Sequence, residues 1–447
     1  MSLETGRLIE SDILEIVENA IPDKDNLKYE IILHTKDYDI EVSNLLLIET
    51  MRNYSKYVGD FMVVTFQMLG GTFIKDVYPN RDNLEMTIIK YDKYTSVTYS
   101  DTRYKVALIN NDANVYGSKY TASDREQLNR TEYVRVVAQC LDRVVEGLRL
   151  TQVEGIYENT TLKDIIMAEL TEKLSAIEVD GNKPDFGIDI VEPNNNKEIE
   201  QMIIPAGIHA LDFPSYIQNT TYGIYNGGIG TYMQRTGSRY IVYVYPLYDI
   251  ERFDNAEFKL IVYFTSNKKF NLADNTYRRD GGVLKILAGT SLVSMDNAEN
   301  EFMSEGDGFV RILPQQMINR NVMVSSNSME FDAETSLEGT KFKDRTDGVD
   351  KAMYLGNEVN MYKYRSEINK RSLGTYQFTW HFSNPDLIYP GMPVQYVFED
   401  DKSTIYKLNG IVQFIASKYD KAMGTTSSSI IFMAKKPVVY GEDTVTN

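Results

Sequence analysis

Three histidines, His34, His209 and His381, and one cysteine, Cys140, are the first residues to test for chemistry in this 447-residue chain. A zinc site needs three or four Cys, His or carboxylate ligands at short spacings, and these histidines are too few and too scattered to supply them. Each sits beside an apolar residue, the setting of a structural histidine. Cys140 has no partner for an internal disulfide, which suits a reducing compartment, and it reads as a small core residue rather than a nucleophile. The stretch SMDNAENEFMSEGDG, Ser294 to Gly308, is rich in carboxylates that could hold calcium. It lacks the alternating ligands and central glycine of an EF-hand loop, so a solvated acidic loop is the favoured reading. GGIG at Gly227 to Gly230 lacks the third glycine and the preceding strand of a dinucleotide loop and reads as a turn. Walker, GxSxG, HExxH and CxxC patterns do not occur. With 64 acidic residues, paired carboxylates for glycoside hydrolysis stay open, but none stands in a setting that would raise its pKa. The expectation is a non-enzyme with no catalytic, cofactor-binding or metal residues.

Charge narrows the partners. The formal net charge is −17 and the pI near 4.8, so the counterion release that drives binding to phosphate backbones is unavailable to most of the surface. Tight nucleic-acid binding is disfavoured. The apolar uncharged stretch Phe61 to Ile74 has 14 residues and two glycines, too few for a helix to cross about 30 Å of hydrocarbon. The N-terminal MSLETGRLIESD shows no basic region followed by an apolar core, so a soluble protein made without export is expected. Tyrosine is abundant, at 32 residues, among them Tyr243, Tyr245, Tyr248, Tyr354, Tyr362, Tyr364 and Tyr389. Its large contact area and polar tip suit protein interfaces; ordinary barrel exterior is the alternative.

The elements that must carry these residues are mostly strands. After a short amphipathic helix (Leu8, Ile9, Ile13, Ile16, Val17), KYEIILHT, DFMVVTFQM, EMTIIKY and RYKVALI are rich in β-branched and aromatic residues and predict an antiparallel sheet or barrel over 26–110. In TEYVRVVAQCLDRVVEGLRL, Val134, Val137, Leu141, Val144, Val145 and Leu148 recur at three and four residues and predict a helix capped by Thr131. TTLKDIIMAELTEKLSAI predicts a second helix, capped by Thr161 with Asp164 three residues on. NKEIEQMII predicts a third, short helix stopping before Pro205. Strands return with RYIVYVYPLYDI, FKLIVYFTS and GGVLKILAGTSLV, and again with TYQFTWHF, MPVQYVFE, TIYKLNGIVQFIASKY and SSIIFMAKK. Between them, 332–373 is polar, mixed in charge and aperiodic, a long excursion expected to be ordered by a partner or packed on its own chain.

Two further features stand out. Tyr38-Asp39-Ile40-Glu41 is repeated as Tyr248-Asp249-Ile250-Glu251, each after one strand and before another, which fits either two unrelated hairpins or two related barrels. In NPDLIYPGMPVQY, immediately after the only tryptophan, Trp380, Pro390 and Pro393 fix φ near −65° and Gly391 allows a positive φ. That combination predicts one stiff turn that sets where the following strand begins.

The string NPDLIYPGMPVQYVFEDD, followed by LNGIVQFIASKY and SSSIIFMAKK, resembles the C-terminal part of baseplate hub proteins of contractile-tailed bacteriophages. TTLKDIIMAEL and IPAGIHALDFPSYIQNTTYGIYNGG are similar to the helical segment and the YGIY turn of such hubs, and the resemblance spans most of residues 25–440. It implies a mainly β (α+β), multidomain fold with two antiparallel β-barrel domains and a helical insertion. The expected division is a first β-barrel domain over 1–130, a helix-rich connecting domain over 131–215, a second β-rich domain over 216–330, and over 331–447 the polar excursion with strands that complete a barrel. The resemblance implies a homotrimer whose three pairs of barrels match the sixfold tail tube. It also implies a central spike protein, the tail tube protein and other baseplate proteins as partners, with duplex DNA only as passing cargo in an enclosed channel. No cofactor and no membrane insertion are implied, and the place of work is the virion tail baseplate, assembled in the host cytoplasm. Readings from other classes are a carbohydrate-active enzyme or receptor-binding module, and a tail tube or sheath component.

Overall fold

The computed structural model describes residues 11–17, 27–55, 59–92, 98–109, 133–179, 181–220, 222–237, 239–264, 276–294, 310–313, 351–354, 360–371, 373–400, 404–435 and 437–440. The chain is mostly β. Seven strands come first: β1 (Leu27–His34), β2 (Asp39–Glu41), β3 (Asn44–Asn53), β4 (Phe61–Leu69), β5 (Glu85–Asp92), β6 (Thr98–Leu108) and β7 (Tyr133–Asp142). They run antiparallel in the order β3-β4-β7-β6-β5-β1-β2. Ile31, Leu33, Ile48, Val64, Phe66, Met86, Val106 and Val136 share one buried core inside this lobe.

The expected barrel does not close: no ladder joins β2 to β3, and no sheet forms a closed barrel among the described residues. The sheet nevertheless curls strongly. Only Val42 and Ser43 separate β2, at one end of the row, from β3, at the other. Three Cα steps span at most about 11 Å, so the two ends must lie side by side across an unpaired seam. Strand twist and a bulge between Leu45 and Leu47 supply the bend.

Two expected helices are strands. Tyr133–Asp142 is β7, paired with β4 and β6, and its buried residues Val134, Val136, Ala138, Cys140 and Asp142 follow a period of two. The helical stripe read there mixed this alternation with the real helix that follows, α2 (Arg143–Leu150). The predicted third helix is instead part of β10 (Glu198–His209), which pairs with β8 (Gln152–Thr161). Alternating burial at Met202 and Ile204 against this partner overrides helix propensity.

The second predicted helix is as expected. Helix α3 (Leu162–Ser175) starts where the Thr161 hydroxyl accepts from the Asp164 N–H, and buries Leu162, Ile165, Ile166, Leu170 and Leu174. Helices α2, α3 and α4 (Phe213–Asn219) pack under the β8–β10 ribbon and against a three-stranded sheet. That sheet orders β11 (Ile229–Thr236), β12 (Arg239–Pro246) and β9 (Asp185–Ile190), with β9 parallel to β12. The strand RYIVYVYP, expected in a second barrel, therefore lies in a separate sheet.

The second lobe continues the large sheet. It contains β13 (Lys259–Phe264), β14 (Tyr277–Asp280), β15 (Val283–Leu287), β16 (Val293–Ser294), β19 (Gly374–His381), β20 (Pro393–Glu399), β21 (Ile405–Asp420), β22 (Thr425–Ala434) and β23 (Val438–Val439). It is not purely antiparallel, since β13 runs parallel to both β15 and β20. β17 (Val310–Leu313) and β18 (Lys351–Tyr354) form a separate parallel pair. Of the polar excursion, 361–371 is a helix, α5 (Met361–Arg371), with Asn360 accepting from the Lys363 N–H; 332–350 and 355–359 lie outside the described residues. The N-terminal helix α1 covers 11–17, and Ile13 and Ile16 pack on Tyr263, Leu287 and Val397 of the second lobe.

The repeated YDIE tetrapeptide takes two conformations. Its first copy enters β2, whereas Ile250 and Glu251 begin a 3₁₀ turn (Ile250–Phe253) capped by Asp249. The repeated letters do not take a repeated local structure.

One strand joins the lobes. The 16-residue β21 pairs through Ile405–Ile411 with β20, then through Phe414–Asp420 with β3 of the first lobe, while β22 runs along its other edge. The handover falls at Gln413, the bulge in the β21–β22 ladder.

Candidate functional site: a buried ionic clasp between two β lobes

The residues first tested for chemistry do not converge. His34 is held by Asp39 (Nδ1 to Oδ1, 2.7 Å) and Thr87 (Nε2 to Oγ1, 2.6 Å), while His209 and His381 end β10 and β19. Cys140 is buried in the first-lobe core with its Sγ 3.8 Å from Met86 Sδ, and burial pushes its thiol pKa up to about 12. GGIG is a turn running into β11, with Gly228 at φ 69°. The acidic stretch after Ser294 lies outside the described residues. Among the described residues no group of three His, Cys, Asp or Glu is arranged to hold a metal. Of the tyrosines named as interface candidates, Tyr243 and Tyr245 are core, and so are Tyr54, Tyr225, Tyr232 and Tyr396.

What the fold does bring together lies where the lobes meet, and the stretch NPDLIYPGMPVQY is its centre. Pro385–Leu387 makes one 3₁₀ turn, Ile388 and Met392 are buried, and Gly391 has φ 71° as the sequence required. A Cβ on Gly391 would also stand 2.3 Å from the Tyr245 ring, so no other residue fits. The turn is thereby pressed against β12 and aims the Asp386 side chain at the first lobe.

Arg52, near the end of β3, receives it. Its side chain is 7% exposed and uses all three nitrogens: Nε donates to Asp60 Oδ2 at 3.1 Å, Nη1 to the Pro385 carbonyl at 2.9 Å, and Nη2 to Asp386 Oδ1 at 2.6 Å. Lys90 of β5 donates to the other Asp386 oxygen at 2.7 Å, and Tyr232 of β11 donates to Asp60 Oδ1 at 2.7 Å. Two cations face two carboxylates, so the network is neutral overall, the condition for burying charge without a large penalty. The Asp386 side chain is 43% exposed; its partial desolvation would push the carboxyl up, but the Lys90 ammonium and the Arg52 guanidinium outweigh it and hold it below the usual carboxylate range. Those same carboxylates keep Arg52 cationic despite its desolvation.

Neutral hydrogen bonds extend the contact. The Tyr54 hydroxyl (3.4 Å) and Gln234 Nε2 (3.0 Å) both donate to the Ile388 carbonyl, and the Tyr245 hydroxyl donates to the Tyr54 carbonyl at 2.9 Å. At the β21 bulge the Tyr54 N–H donates to the Gln413 carbonyl, and Gln413 Nε2 donates to the Leu247 carbonyl at 2.7 Å. Tyr54 and Tyr232 meet edge-on with centroids 4.9 Å apart. A second patch fastens the three-stranded sheet to the first lobe. Arg235 donates to the Thr102 hydroxyl and to the Asp101 carbonyl, and the Tyr240 hydroxyl donates to Asp142, the cap of α2. What this arrangement does chemically is fix two lobes and an intervening sheet as one body. Sequence reasoning identified the stiff turn but not its partners, because Arg52 and Lys90 carry no local pattern.

No protein-family model matches the sequence, and no curated protein matches it. Among solved structures, the chain is similar to a 43 kDa tail protein of prophage MuSo2 from Shewanella oneidensis, with 9% identity and a TM-score of 0.47 over 91% of this chain and 96% of that one. It is similar to a tail protein from Neisseria meningitidis MC58, with 8% identity and a TM-score of 0.44 over 91% and 96%. It is also similar to an Escherichia coli component of the type VI secretion system, itself described as structurally similar to bacteriophage T4 tail proteins, with 10% identity and a TM-score of 0.40 over 90% and 76%.

Proposed function

We propose that the chain is a non-enzymatic structural protein of a phage tail baseplate, a homotrimeric hub that adapts the sixfold tail tube to a threefold central spike and encloses a channel for DNA. The observation that carries this reading is the pairing of two β lobes in one chain, each with its own apolar core and both built on the single strand β21. Three copies would offer six lobes at fixed spacing, and the ionic clasp suits a ring that must not flex. The resemblance of the 384–401, 160–170 and 204–228 segments to hub proteins supports the same assignment. A net charge of −17 suits a conduit, since carboxylates facing a lumen repel phosphate and let DNA pass. On this reading the spike, the tube and other baseplate proteins are the partners, and the tail baseplate of the virion, assembled in the host cytoplasm, is the location.

The test is an electron-microscopy average of the purified protein together with its native mass. A trimer with a pseudo-sixfold rim is expected; a ring of six chains, or a protein that stays monomeric at every concentration, overturns the hub. Turnover of peptidoglycan or oligosaccharides lost on a single Asp or Glu substitution would replace it with an enzyme. Sub-micromolar duplex binding in a gel shift at physiological salt would remove the conduit.

A further inference from the structure

The β8–β10 ribbon has an outer face that no other described element covers. Among the described residues each strand pairs in a ladder only with the other, and the inner residues Val153, Met202 and Ile204 are buried on the helices beneath. In the same ladder Ile156 lies directly opposite Ile203, with 65% and 63% of their surfaces exposed. Side chains two apart on a strand share a face, so Glu154 and Glu158 flank Ile156 on that outer side. Both glutamates are exposed. Neither is within ion-pair distance of a cation among the described residues, although the Lys173 ammonium of α3 is stabilised in part by Glu154; Glu158 accepts a 3.4 Å hydrogen bond from Gln201 Nε2. A cross-strand pair of large β-branched residues in water, bracketed by exposed carboxylates, is costly to leave bare and well formed for contact.

We infer that this face docks a segment of another protein whose apolar residues are flanked by Lys or Arg. Charge selects that occupant over a second copy. Placing the face on its own counterpart sets glutamates against glutamates, and the chain as a whole carries 64 acidic residues against 47 basic ones. A basic-rimmed apolar segment satisfies both the isoleucine pair and the glutamates. The ribbon presents this chemistry whether or not the chain sits in a tail.

The probe is a fluorescent peptide of alternating isoleucine and lysine, titrated against the full chain by anisotropy, with a peptide carrying glutamate in place of lysine as control. Saturable binding of the lysine peptide alone is expected, weakening as salt rises from about 0.05 to about 0.3 M. Ile156→Ser with Ile203→Ser, and separately Glu154→Gln with Glu158→Gln, should each weaken binding at least about tenfold. These side chains are exposed, so circular dichroism and the Tm should stay at wild-type values. Absent binding, or binding changed less than about twofold by both pairs, overturns the inference. So does wild-type self-association that the isoleucine pair of substitutions abolishes, which would make the occupant another copy.

Discussion

Replacing Asp386 with alanine tests whether the clasp binds the lobes or merely decorates their junction. The substitution removes the acceptor of Arg52 Nη2 at 2.6 Å and of Lys90 Nζ at 2.7 Å. Hydrogen bonds to buried charges contribute about 1.5–3 kcal/mol each, whereas an exposed ion pair contributes about 0–1 kcal/mol. Arg52 is 7% exposed but keeps Asp60 and the Pro385 carbonyl, while Asp386 itself is 43% exposed and screened by water. The expected loss is therefore about 2 kcal/mol, roughly a 30-fold shift in the unfolding equilibrium. Urea unfolding followed by fluorescence reads the second lobe alone, because Trp380, the only tryptophan, is buried there; far-ultraviolet circular dichroism reads both lobes. In the wild type the two signals should coincide, and in Asp386→Ala both midpoints should fall together. An Arg52→Met, Asp386→Ala double variant should recover at least about 1 kcal/mol of the summed losses, since both substitutions remove the same Arg52–Asp386 contact. The sign of the pH dependence follows from the depressed carboxyl. Its contribution is fully present above the unfolded pKa of about 3.9 and is lost as pH falls toward the lower folded value, so the gap between wild type and Asp386→Ala should shrink below about pH 4. A midpoint shift worth less than about 0.5 kcal/mol at neutral pH, with additive losses in the double variant, would refute the clasp.

Gly391→Ala should destabilise by about 2–4 kcal/mol in the same urea titration, from a positive φ and a Cβ driven into the Tyr245 ring; a loss under about 1 kcal/mol would show that the turn relaxes. Thr161→Ala should cost about 1 kcal/mol by removing the cap of α3, and Thr161→Ser should recover most of it. Cys140 should resist iodoacetamide near pH 8 in the native protein and react readily in urea, read by intact mass; rapid native alkylation would contradict its burial and raised pKa.

Local pattern determined a good part of this molecule. Alternating or continuous β-branched runs fixed most strands, the Thr161 cap with its apolar stripe fixed α3, and the proline spacing around Gly391 fixed a turn that needs a positive φ. These are properties of a few neighbouring residues, so a few neighbouring letters carry them. Where two periods overlap, letters do not decide: VRVVAQCL admits both a helical stripe and a strand, and pairing with β4 and β6 chose the strand. Segment 198–204 was settled in the same way by β8. Only the tertiary structure decided that the curled first sheet stops short of ladder closure, that RYIVYVYP leaves the large sheet, and that β21 is shared between lobes. The clasp belongs to that class as well. Asp386 meets Lys90 across 296 residues and Arg52 across 334, and a charge whose partner lies that far along the chain looks, in sequence, like any solvated surface residue.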